Sequence, residues 1–239
     1  MSLPSAIVIS LKRSEARREE FIAQLKQSSL DWEILDAVDG LQLQSTPLEY
    51  HEDKVTRLLG FPLSASEIGC FLSHRLAWAR CAEKERPTLI LEDDFTLAPH
   101  FYESLSTVLA NDVDWDILRL QGLSQTPDET LIDHPNFRIA KNQGDPLGAT
   151  AYVLKPHAAR RLIKCSKDIF EPLDHFLEHH KKHKLNVIAI KPYPVITKGN
   201  SSTILDRPER KPIHGIRKLL RSISRWLDRQ TNPNPWFPK

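Results

Sequence analysis

A buried strand cannot run on through three adjacent carboxylates, so the stretch Thr88-Leu-Ile-Leu-Glu-Asp-Asp-Phe95 says where one strand of this chain has to stop. Its first half reads as a strand shielded on both faces. Its second half, Glu92-Asp93-Asp94, stacks like charges that need a cation beside them to offset their repulsion. A divalent metal answers that need, because Mg²⁺ and Mn²⁺ take oxygen ligands and bridge protein carboxylates to phosphates. The motif therefore reads as a candidate diphosphate site. The competing reading is a solvated acidic turn, and the Leu-Ile-Leu run ahead of the acids argues against it.

Other strand and helix patterns alternate around this one. Ala6 to Leu11 reads as a first strand, with Ser14 at a helix N-cap position before the charged run Glu15 to Gln27. Trp32 to Val38 reads as a second strand ending at Asp39-Gly40, and a short helix is expected around Glu52 to Leu59. Ser64-Ala-Ser-Glu67 is a capping box that opens a helix through Cys81. Gly69 lies inside that helix, where glycine costs about 1 kcal/mol relative to alanine, so a close backbone or ligand approach is expected. Ser73 and His74, one turn on, read as structural polar groups. A helix is expected over Phe101 to Ala110, strands at Asp116 to Leu120 and Gly148 to Leu154, a helix at His157 to Lys167 and a last strand at Asn186 to Ile190. Gln121 to Gly148, rich in Gly, Pro, Asn and Asp, reads as a long lid with a short strand at Phe137 to Ala140. Asp174 to Lys184 reads as one helix crowded with His175, His179, His180 and His183; their spacing permits metal binding, but a solvated face is the plainer reading.

This alternation predicts an α/β fold, a Rossmann-type and mainly parallel sheet with helices on both faces. Ligands in such sheets sit at the carboxyl ends of the strands. Arg13, Arg17 and Arg18 follow the first expected strand, Asp39 the second and Glu92 to Asp94 the third. Taken singly, each is also explained as an ordinary surface arginine or turn residue. Their shared edge points to one nucleotide-diphosphate site, with Asp39 placed to meet a ribose hydroxyl.

Charge divides the 239 residues unevenly. The net charge is +2, but Lys211 to Lys239 hold seven Lys/Arg against the single acid Asp228, which leaves residues 1–210 mildly acidic. Residues 1–210 are read as the folded domain and 211–239 as a basic amphipathic tail. Ile216, Leu219, Leu220, Ile223, Trp226 and Leu227 fall on one helical face, and Arg217, Lys218, Arg221 and Arg225 on the other. Such a helix lies flat on an anionic membrane surface, each basic residue adding about 1 kcal/mol; packing back on the body or on a second subunit is the alternative. Nucleic acid is not an expected partner, since the basic run is confined to one short helix. Cys70, Cys81 and Cys165 form no Cys-x-x-Cys pair, and no apolar run approaches the roughly 20 residues that span a bilayer. A cytoplasmic protein held at the inner face of the membrane is expected.

With these pieces in order, the chain resembles glycosyltransferase family 25, the lipooligosaccharide galactosyltransferase-like group. The resemblance rests on Ile7-Val-Ile-Ser-Leu11 with Arg17-Arg18, Asp36-Ala-Val-Asp-Gly40, and Leu63-Ser-Ala-Ser-Glu-Ile-Gly-Cys-Phe-Leu-Ser-His74 with Trp78. It continues through Leu89-Ile-Leu-Glu-Asp-Asp94, Gly148-Ala-Thr-Ala-Tyr152 and Pro172-Leu-Asp-His-Phe-Leu177. It implies a GT-A-like fold, a UDP-sugar donor, Mn²⁺ or Mg²⁺, and inverting transfer of a hexose, galactose first among them, to a lipooligosaccharide or LPS core acceptor. Glu92, Asp93 and Asp94 fall on the family's Asp-x-Asp counterpart, with Asp94 and Glu92 as metal ligands. Glu67 and Gly69 fall on the donor side, and Asp174 on the aspartate expected to act as catalytic base, with N-capping of its own helix as the alternative. Two rival functions stand beside this one: a Mg²⁺-dependent phosphohydrolase, and a non-catalytic membrane-associated module of the same fold.

Overall fold

The structure is a computed structural model and describes residues 3–198. In chain order the elements are β1 (Ser5–Ser10), α1 (Glu15–Lys26), β2 (Trp32–Asp36), α2 (Glu52–Leu59), α3 (Ala65–Ala82), β3 (Thr88–Glu92), β4 (Phe95–Leu97), α4 (Phe101–Ala110) and β5 (Ile117–Arg119). They continue with β6 (Asp128–His134), β7 (Phe137–Asn142), β8 (Ala151–Leu154), α5 (Pro156–Cys165), α6 (Leu173–Leu177), α7 (His180–His183), β9 (Val187–Lys191) and β10 (Val195–Thr197). Eight strands form one sheet in the order β2-β1-β3-β8-β5-β9-β7-β6. The pairings make β8 and β7 run opposite to the other six, so the sheet is mainly parallel in strand direction, as expected.

Alternation along each strand builds two cores. Ile7 and Ile9 of β1 and Ile90 of β3 face α2, α3, α5 and α6, packing with Phe71, Trp78, Leu162 and Phe176. Ala6, Val8, Leu89 and Leu91 face α1 and α4, packing with Phe21, Phe101 and Leu105. Helices thus cover both faces. Among the described residues no helix is long and apolar enough to cross a membrane. The basic amphipathic segment 211–239 lies outside the described residues.

Two expectations are corrected. Gln121 to Gly148 is not one long lid: β6 and β7 form an antiparallel hairpin that extends the sheet beyond β9. Lys191, only 2% exposed, ties it down through Asp128 at 3.2 Å and the Thr126 carbonyl at 3.1 Å. The helix expected over Asp174 to Lys184 is two short ones, and two of its four histidines, His179 and His183, are buried, while His175 and His180 are half-buried. His183 is fully buried, its Nε2 3.2 Å from the Leu177 carbonyl, and burial pushes its pKa down to about 3. His179 is also buried, 2.8 Å from Glu171. Phe95-Thr-Leu97, to which the sequence pattern assigned no element, pairs antiparallel with β10 in a separate two-stranded sheet.

α3 is held at its start by the expected capping box, with Ser64 Oγ accepting from the Glu67 N–H and Glu67 Oε2 from the Ser64 N–H. Gly69 answers the expected close approach: a Cβ there would lie 2.6 Å from Gly40 N and 2.7 Å from the Val38 carbonyl. Ser73 Oγ locks the same turn, accepting from Val38 N–H at 2.8 Å and donating to the Gly69 carbonyl at 2.7 Å. The clashing atoms are backbone and have little room to yield. Gly69→Ala is therefore expected to cost on the order of 2 kcal/mol and to lower Tm by roughly 4–8 °C, read by thermal melting. An unchanged Tm would mean that the 38–40 turn is not packed on α3 as described.

Candidate functional site

β1, β2 and β3 are mutually parallel, so Ser10, Asp36 and Glu92 end at one sheet edge, and antiparallel β8 begins there at Thr150 and Ala151. At this edge lies an open cleft of about 390 Å³, lined also by the 38–40 turn, the start of α3 and the start of α6. Arg13, Arg17, Asp39, Glu67, Glu92, Asp93, Asp94 and Asp174, all singled out in the sequence, line it. Arg18 and Gly69 do not. Arg18 instead straps β1 to β2, donating to the Ser10 carbonyl at 2.7 Å and to Asp36 at 2.8 Å, while Gly69 packs behind the 38–40 turn. The edge also brings in Ser10, Cys70, His74, Thr150 and Thr197, to which the sequence reading assigned no ligand contact. Only the position of Ser10 at the end of an expected strand pointed that way.

The three acids have three different environments. Asp93 is neutralised by Arg17 at 3.1 Å and accepts from Ser10 Oγ at 2.6 Å. Burial works to raise the pKa of Glu92, but His74, by its Nε2 hydrogen bond (3.4 Å) and then electrostatically, followed by hydrogen bonds from Thr150 Oγ1 (3.0 Å) and Cys70 Sγ (3.7 Å), holds the group below the usual carboxylate range. Asp94 has less support, from the charge of Arg17 and from its own backbone N–H. Its Oδ1 is buried without a hydrogen-bond partner, and burial, reinforced by the charge of Glu92, pushes its pKa up to about 6. A carboxylate with one open, desolvated oxygen is a hard ligand of the kind Mg²⁺ and Mn²⁺ take, so Asp94 can offer such an ion one oxygen, while Asp93 is ion-paired with Arg17 and Glu92 already takes three side-chain donors.

Asp39 is hydrogen-bonded to Arg13 at 2.6 Å, which, against a smaller opposing effect of burial, holds its carboxyl below the ordinary range. Glu67 reaches the cavity, but its Oε2 belongs to the capping box. Pro172 occupies the N-cap position of α6, so Asp174 is not that cap; it sits in the first turn, half-buried, with Oδ1 accepting from the His175 N–H at 2.9 Å. Cys70, His74 and Glu92 have ligand-type atoms within 4.8 Å of one another, and so do Asp145, Glu178 and His180. In the second group the Glu178 carboxylate is already ion-paired with buried Arg119.

A mainly parallel α/β sheet with acids and arginines gathered in a cavity at its strand ends places that cavity where folds of this kind take their ligands. The family model described as "Glycosyltransferase family 25 (LPS biosynthesis protein)" matches residues 4–177. The chain belongs to glycosyltransferase family 25. Its relatives include procollagen galactosyltransferase 2 of Homo sapiens, 27% identical over 195 residues, covering 74% of this chain and 30% of that protein. A probable inactive glycosyltransferase 25 family member 3 of Rattus norvegicus is 28% identical over 194 residues, covering 74% and 33%. The chain thus spans about a third of the length of the curated relatives it matches. Among solved structures it is similar to a Drosophila galactosyltransferase 7 variant in complex with manganese, UDP-Gal and xylobiose, at 8% identity and a TM-score of 0.47, covering 92% of this chain and 80% of that one. At that score the likeness decides nothing about the site.

Proposed function

We propose that this chain is a metal-dependent, inverting hexosyltransferase that moves galactose from a UDP-sugar to a lipooligosaccharide or LPS core glycan. The observation that carries the reading is the meeting, in one cavity at the strand ends, of Arg13, Arg17, Asp39, Asp94 and Asp174, with the Asp94 Oδ1 left unpartnered. The galactosyltransferases among the relatives support the sugar, and the description of the family supports the acceptor.

In this reading Asp94 holds the cation, Mn²⁺ or Mg²⁺, which when bound offsets the charge of the departing diphosphate. Glu92 stands behind it as a fixed anion whose two oxygens already take three side-chain donors. Arg13 and Arg17 bring positive charge to the phosphates, and Asp39 lies where the ribose would sit. Asp174 takes the proton of the acceptor hydroxyl as that oxygen bonds to the anomeric carbon and the bond to UDP breaks. Segment 211–239 brings the enzyme to the cytoplasmic face of the inner membrane, where a lipid-borne acceptor is displayed.

Calorimetric titration with UDP-galactose tests the donor site. Saturable binding is expected at pH 7.5 with Mn²⁺ and at least tenfold weaker binding in EDTA. Heats indistinguishable from buffer in both conditions, with other UDP-sugars silent too, would favour the non-catalytic module.

A further inference from the structure

Behind Glu92, three fully buried side chains are joined end to end. Trp78 Nε1 lies 2.8 Å from the Tyr152 hydroxyl, the hydroxyl 2.8 Å from His74 Nδ1, and His74 Nε2 3.4 Å from Glu92 Oε1. Trp78, His74 and Tyr152 are 0%, 0% and 2% exposed, and the His74 and Tyr152 rings lie nearly parallel, 19° apart in plane with centroids 5.9 Å apart, so both rings are enclosed by protein.

The donors in this row can be assigned. An indole N–H only donates, so the Tyr152 oxygen accepts from Trp78. Burial keeps the phenol protonated, and the proton goes to the other partner of the hydroxyl, His74 Nδ1. A ring nitrogen that accepts carries no proton, and the neutral imidazole then carries its proton on Nε2, the atom facing Glu92. The reverse arrangement, with His74 Nδ1–H donating to Tyr152, would leave a buried phenol proton without an acceptor.

We infer that Trp78 and Tyr152 are positioning residues: they lock His74 in the Nε2–H tautomer and so make it a standing donor to Glu92. Cys70, His74 and Glu92, whose spacing alone would suit a thiolate–imidazole metal centre, are on this view a donor cradle for one anion. Cys70 fits this role, since burial, with Glu92 adding to it, pushes its thiol well up and keeps the proton on sulfur. The consequence for the reaction rests on the reading given under the proposed function: a Glu92 oriented by these donors behind Asp94 tightens the hold on the cation, as partners behind a ligand commonly do. The tautomer itself does not depend on that reading.

The test uses the full chain with ¹⁵N-labelled histidine. Proton–nitrogen correlation spectra at pH 7.5 report which ring nitrogen of His74 is protonated, the signal being assigned by its loss in His74→Asn. The expected wild-type result is a protonated Nε2 and a bare Nδ1. Tyr152→Phe removes the donor to Nδ1, so the His74 signals are expected to move toward an average of the two tautomers and the Mn²⁺ dissociation constant to rise by roughly tenfold or more. A wild-type His74 protonated on Nδ1, or on both nitrogens, would overturn the inference. So would a folded Tyr152→Phe protein with an unchanged tautomer, which is what a merely structural tyrosine gives. If the variant fails to fold, the wild-type spectrum decides alone. An Nε2–H His74 in a protein that takes up no Mn²⁺ would support the relay and count against the metal reading instead.

Discussion

Asp94→Asn is expected to reduce transfer by about 10³-fold or more while making the metal-free protein more stable at pH 7.5. The loss follows from the role assigned to the carboxylate: without it the cation is no longer held where charge develops on the diphosphate, a contribution of several kcal/mol to the transition state. The gain follows from its environment. In the metal-free fold the Asp94 carboxyl has a pKa of about 6, raised above the ordinary aspartate value by burial and by Glu92. A raised pKa means that the folded state binds the proton more tightly than the unfolded chain, so the group favours folding at low pH and that benefit is lost as pH rises through about 6. At pH 7.5 the fold holds an ionised, partly desolvated carboxylate, and asparagine removes it. Allowing for solvent screening, the gain is on the order of 1 kcal/mol, or roughly 2–4 °C in Tm, vanishing near pH 4. Thermal melts in EDTA at the two pH values, with initial rates in Mn²⁺, check both halves. A variant that melts lower at pH 7.5 would show that the carboxylate supports the fold instead of awaiting a cation, and an unchanged rate would remove it from the site.

Asp174→Asn separates chemistry from binding. Loss of the base is expected to lower kcat by about 10²- to 10⁴-fold and to leave the donor dissociation constant within a factor of about two. Asparagine keeps an acceptor for the His175 N–H, and Pro172 holds the N-cap position, so Tm is expected to change little. Single-turnover rates and donor titration decide the matter. A parallel fall of kcat and donor affinity would make Asp174 part of the donor site, and an unchanged kcat would place the base elsewhere.

Much of this arrangement was legible in the residues because it rests on local patterns. The apolar runs at Ala6 and Thr88 mark β1 and β3, the Ser64–Glu67 box starts α3, and Gly69 announces a close approach that Gly40 supplies. The acids and arginines met at one edge because β1, β2 and β3 are parallel. What stayed hidden depends on partners distant in sequence. β6 is an edge strand with most of its positions exposed or half-exposed, so its sequence lacks the apolar alternation that marks a half-buried strand. β8 runs opposite to β3, and periodicity carries no strand direction. The histidines after Asp174 look like a solvated run until Glu171 and the Leu177 carbonyl fold over them. His74 looks like a core polar group, and it is one; its link to Glu92 appears only when α3 and β3 are set side by side.

On the proposed reading, the cavity at the strand ends transfers a sugar from a nucleotide under control of a cation. The most direct measurement is UDP release by the purified protein from a panel of UDP-sugars, each in Mn²⁺ and in EDTA, with and without a lipooligosaccharide extract. Release from one donor, dependent on both Mn²⁺ and the extract and lost in Asp94→Asn, is the expected result. Release that ignores the extract would mean that water takes the sugar and would count against that glycan as the acceptor, whereas UMP and a sugar phosphate as products would fit a phosphohydrolase. No release from any donor, together with no UDP-sugar binding, would contradict the claim and leave a family 25 fold without turnover.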